Sequence, residues 1–139
     1  MKLELKKIND AINSISNSIN HDKWHEALFN AEIILSELEK HEKSDIVLKI
    51  YFNLASQFID AGTYLKNTDA ISKGIQIFES NSNHYEENFN INYFYNLANG
   101  KLALANNCGY SEERVNFKNI EIFNEVKNLY WKAYKIIKK

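Results

Sequence analysis

The chain has 139 residues, enough for one domain with a useful core, and its 45% hydrophobic and 25% charged content excludes wholesale disorder. A formal charge of −1, with Arg114 the sole arginine, excludes a general nucleic-acid binder, whose affinity rests on many phosphate contacts. No proline and only four glycines argue against a turn-rich β architecture and for an all-α fold, and the lone Cys108 excludes an internal disulfide.

In chain order, residues 1–7 interleave charges with apolar side chains, unlike a signal peptide, and no apolar run approaches the roughly 20 residues that span a bilayer. A cytoplasmic protein is expected. Ile8, Ile12, Ile15 and Ile19 form one helical stripe that ends near Asn20. Asn20 or Asp22 is placed to cap a second helix bearing Trp24, Ala27, Leu28, Ala31, Ile34, Leu35 and Leu38 on one face. After a break at 41–44, with Ser44 or Asp45 as cap, a third helix runs to about Ala61, where Gly62 is the expected terminator. Asn67 or Thr68 caps a fourth helix that buries Ile71, Gly74, Ile75 and Phe78, and Gly74 there implies close approach of a neighbouring helix.

Residues 80–88 read as a polar linker without period. A fifth helix sets Phe94, Leu97, Ala98, Lys101, Leu102 and Ala105 on one side, and stops at the Asn-Asn-Cys-Gly run of 106–109. Residues 110–118 read as loop or a short turn of helix. A sixth helix presents Ile120, Phe123, Val126, Tyr130, Ala133 and Ile137. The sum is a single domain over 1–139, of about six helices in three antiparallel hairpins at about 3–41, 44–80 and 88–138.

Two stretches repeat. Tyr51-Phe52-Asn53-Leu54-Ala55 returns as Phe94-Tyr95-Asn96-Leu97-Ala98, with Leu54 and Leu97 separated by 43 positions. A helical unit that recurs at this scale suggests stacked hairpins, each burying its neighbour's apolar face. Trp24-His25-Glu26-Ala27-Leu28-Phe29-Asn30-Ala31 resembles the second helix of a tetratricopeptide (TPR) repeat, and Tyr51…Leu54-Ala55…Phe58 resembles the first. Phe94…Leu97-Ala98 is similar, but Lys101 stands where the closing aromatic belongs, and the inter-repeat proline is absent. Gly74…Phe78 and Ala133…Ile137 resemble the small and large positions of second helices. The resemblance covers nearly the whole chain in degenerate form, since the family unit is about 34 residues. It implies a TPR-like α-solenoid whose concave face receives a protein or peptide segment.

By position, the resemblance places that face at Asn13 and Asn17, at Lys49, Asn53, Ser56 and Asp60, and at Asn92, Asn96 and Asn99. An Asn amide both donates and accepts, so it can pair with the N–H and C=O of an extended peptide, and Lys49 can meet a carboxylate. The same amides can instead bridge neighbouring helices or face water. Trp131, Tyr134 and Ile136 lie partly outside the sixth helix's core stripe. Either that stripe is wide, or the helix packs on a second subunit or a downstream domain.

Little in the sequence points to catalysis or a cofactor. His21 and His25 sit one turn apart without a third ligand in register, so no metal is expected. Cys108 has no His or acid tied to it by motif, and the pairs Glu86-Glu87 and Glu112-Glu113 read as surface charge. The expected function is a non-enzymatic protein- or peptide-binding scaffold. The alternative is the sensor or regulatory part of a larger bacterial effector, for example one joined to a HEPN-type nuclease. That domain's active-site pattern sets a His several residues after an Arg, and Arg114 has none after it.

Overall fold

A computed structural model describes residues 6–8, 10, 11, 13, 23–107 and 117–138. The fold is all-α, with no strand among these residues, and the described residues of 6–13 are helical. Six helices follow: α1 (Trp24–Leu38), α2 (Asp45–Leu65), α3 (Thr68–Ser80), α4 (Ser82–Asn88), α5 (Asn90–Asn107) and α6 (Phe117–Lys138). None of the described helices is long and apolar enough to cross a membrane.

Local chemistry sets most boundaries. The Ser44 side chain accepts from the Val47 N–H at the start of α2, and the Asn67 side chain accepts from the Ala70 N–H at the start of α3. At α1 the cap position is held by Lys23, with no side-chain cap bond; Asn20 and Asp22 lie outside the described residues. Gly62 does not end its helix. It is buried inside α2, where an added Cβ would stand 2.8 Å from Ile71 Cγ1 of α3. The left-handed residue that ends α2 is Lys66, at φ 56°, and the Asn67 N–H then closes back on the Gly62 carbonyl at 2.8 Å.

The expected linker over 80–88 contains α4, a short helix anchored by one buried side chain. Tyr85 is fully buried and its hydroxyl donates to the Leu48 carbonyl of α2 at 2.7 Å. Its ring joins an edge-to-face cluster with Phe52 and Phe78, their centroids 4.9–6.0 Å apart. Burial pushes the Tyr85 phenol well above its ordinary range, and burial together with the Glu86 and Glu79 carboxylates pushes Tyr93 up to about 12.

The long helices pack in succession: α1 on α2, α2 on α3, α3 on α5 and α5 on α6, with α2 also meeting α5. A two-residue link between α2 and α3 forces that pair antiparallel. Leu54 and Leu97, the matched leucines of the two repeats, are both buried in one continuous core with Phe58, Ile71 and Phe78. The close approach implied by Gly74 is present. A Cβ there would lie 2.6 Å from the Ala55 carbonyl oxygen and 2.6 Å from Ile59 Cγ1.

Candidate functional site

On α2, Lys49, Asn53, Ser56 and Asp60 recur at three- and four-residue intervals and therefore form one file along the helix. On α5, Asn92, Asn96 and Asn99 form a second file for the same reason. The fold brings the two files side by side. Asn96 Nδ2 donates to Ser56 Oγ at 3.3 Å, and the Ser56 hydroxyl in turn donates to the Phe52 carbonyl at 3.2 Å. Asn99 reaches the other way, its amide oxygen accepting from the Tyr130 hydroxyl of α6.

Exposure divides the set. Lys49, Asn53, Asp60 and Asn92 are exposed, whereas Ser56, Asn96 and Asn99 are half-buried. Asn53 and Asn96, equivalent in sequence, are therefore not equivalent in space. Asn13 is exposed and helical, and Asn17 lies outside the described residues. Two of the nine positions, Asn96 and Asn99, thus bridge helices through their amides while keeping part of their surface open.

Desolvation raises the Asp60 carboxyl above its ordinary value although the residue as a whole remains exposed. Lys49 and Asp60 mark the two ends of the α2 file, with Asn53 and Ser56 between them. Eleven residues of helix rise put these ends about 16 Å apart, which an extended chain of about five residues spans.

Sequence reasoning missed the network at Lys101. Its ammonium pairs with Glu79 of α3 at 3.2 Å and Glu125 of α6 at 2.5 Å, on a side chain only 13% exposed. Burial pulls its pKa down, but the hydrogen bonds it donates to Glu125 and Glu79 outweigh that and hold it above the ordinary lysine value. Lys101 thus ties three helices, α3, α5 and α6, at one point. The carboxylates at 79 and 125 were the available signal, but only the fold brings them to one point.

The face of α6 is also shifted from the expected one. Val126, Leu129 and Ala133 are buried with Ile122 half-buried beside them, while Ile120 and Ile137 are exposed. Trp131 and Tyr134 stand open, 54% and 48% exposed. Among the described residues no group of three His, Cys, Asp or Glu side chains is placed to hold a metal ion. Comparison with known families, curated proteins and solved structures gives no match to this chain.

Proposed function

We propose that the chain is a TPR-like binding scaffold, an array of helix pairs that receives an extended peptide segment on the joined polar files of α2 and α5. The observation that supports this reading is the Ser56–Asn96 contact, which ties α2 to α5 and brings their two polar files together. The strip is suited to main-chain recognition. Asn53 and Asn92 are exposed amides, each able to pair with a peptide N–H and C=O without reading its sequence.

The ends of the α2 file add polarity. Lys49 favours a carboxylate, and Asp60, with its charge partly desolvated, favours an ammonium or guanidinium. The fitting ligand is an extended segment of about five residues with acidic and basic groups at opposite ends. No step in this function needs a bond made or broken.

The test is the double variant Asn53→Ala, Asn96→Ala against a panel of capped five-residue peptides with such ends. Each lost amide pair weakens binding by about 0.5–1.5 kcal/mol, so an affinity loss of about tenfold is expected. Thermal stability should fall little, because Asn53 is exposed and Asn96 loses one half-buried bond, costing about 1 kcal/mol or less. A large fall in melting temperature with unchanged peptide affinity would make these amides purely structural.

A further inference from the structure

A second surface, remote in chemistry from the polar strip, lies on α6. That helix carries two apolar faces where one suffices for packing on α5. Val126, Leu129 and Ala133 form the buried face. About 130° round the helix stand Ile120, Phe123, Trp131 and Tyr134. Phe123, Trp131 and Tyr134, with Tyr130 and with Leu102 of α5, line an apolar hollow of ≈ 810 Å³. The Trp131 and Tyr134 rings stack on each other at 5.3 Å while about half of each remains exposed. Two stacked, half-open aromatics present a flat anchor of the kind that dominates interface energies.

The rim is of one sign. Lys127 lines the hollow, Lys135 Nζ lies 5.4 Å from the centre of the Trp131 ring, and Lys138 Nζ lies 5.9 Å from that of Tyr134. Among the described residues these three ammoniums have no carboxylate within ion-pair distance. The nearby Glu125 is turned away to Lys101, and Glu121 falls about 120° round the helix from Lys127. A second copy seated on this face would set lysines against lysines, which disfavours self-pairing.

The hollow's shape points to a helix. Its α6 lining recurs from Phe123 to Tyr134 over three turns, about 16 Å, the footprint of a helix laid along a groove. Within the chain, α3 already meets α5 along its length, with Ile75 of α3 set against Gly100 of α5. We propose that the outer face of α6 docks an amphipathic helix of a partner protein, its apolar stripe seated on Trp131 and Tyr134 and its flanking Asp or Glu residues paired with Lys127, Lys135 and Lys138.

The test uses two synthetic helical peptides of roughly five turns. Both carry the same Leu/Phe stripe, one with Glu flanks and the other with Lys flanks. Binding to the full chain is read by fluorescence anisotropy. The Glu-flanked peptide should bind about tenfold or more tighter, with the gap closing as salt rises. Lys127→Glu with Lys135→Glu should invert the order. Trp131→Ala with Tyr134→Ala should abolish binding of the Glu-flanked peptide, with helical circular dichroism unchanged in both variants. Equal affinity for the two peptides, no binding of the Glu-flanked one, or binding that survives Trp131→Ala with Tyr134→Ala would overturn the proposal. So would sedimentation showing a dimer that Trp131→Ala dissolves, or binding confined to anionic vesicles. These readouts do not touch Asn53 or Asn96, so failure here leaves the α2–α5 strip standing.

Discussion

At the scale of single residues, the most informative polar groups are those that the core has to accommodate. Tyr85 is the sole buried anchor of α4, and its hydroxyl completes a bond to a carbonyl in the body of α2. Tyr85→Phe keeps the ring packing and removes that bond. It should lower stability by about 1 kcal/mol, measured by urea unfolding, and loosen amide exchange in α4 before any other helix. Asp60 works in the opposite sense. Its folded-state pKa lies above the unfolded one, so the group favours the fold at pH below about 4 and that contribution is lost as pH rises through the raised value. Asp60→Asn should therefore be as stable as the parent or more stable at neutral pH, and the difference should vanish in acid. A variant that loses stability at neutral pH would show that the Asp60 charge is itself held by a partner.

At the scale of helices, close approach at glycines decides what substitution costs. A methyl at position 74 would meet the Ala55 carbonyl oxygen at 2.6 Å, a backbone atom that cannot turn aside. At position 100 it would meet side-chain atoms only, the Ile59 Cδ1 methyl at 2.8 Å and Ile75 Cγ1 at 3.1 Å, both in the buried core. Gly74→Ala should cost about 2 kcal/mol net, the overpacking exceeding the gain in helix propensity, and Gly100→Ala, which meets side-chain rather than backbone atoms, should cost less. Thermal unfolding of the two variants side by side checks the contrast. The same packing explains which elements the sequence could disclose. Ser44 and Asn67 were readable as caps because capping is local chemistry. Gly62 misled because its sequence context suits a terminator, whereas in space it makes room for Ile71, and Lys66 takes the left-handed turn instead. The helix α4 was invisible because one buried Tyr in seven residues makes no period. On α6, two overlapping apolar stripes blurred the register, and only the position of α5 separates them.

At the scale of the whole molecule, the duplicated Tyr/Phe-Asn-Leu-Ala motif shows what a repeat can and cannot specify. Leu54 and Leu97 enter one core, as equivalent seams should. The asparagines beside them diverge, because Asn96 has Ser56 of a neighbouring helix within reach while Asn53 looks outward. Periodicity fixes which side of a helix a residue occupies, but its partner depends on what is packed alongside. The proposed receptacle rests on Lys49, Asn53, Ser56 and Asp60 acting with Asn92, Asn96 and Asn99 as one surface. The most direct measurement is an amide chemical-shift map of the full chain titrated with the five-residue peptides. The account predicts saturable shifts concentrated along the α2 and α5 files, reaching from Lys49 to Asp60. Shifts confined to the α6 aromatics, or none along either file with any peptide in the panel, would contradict it.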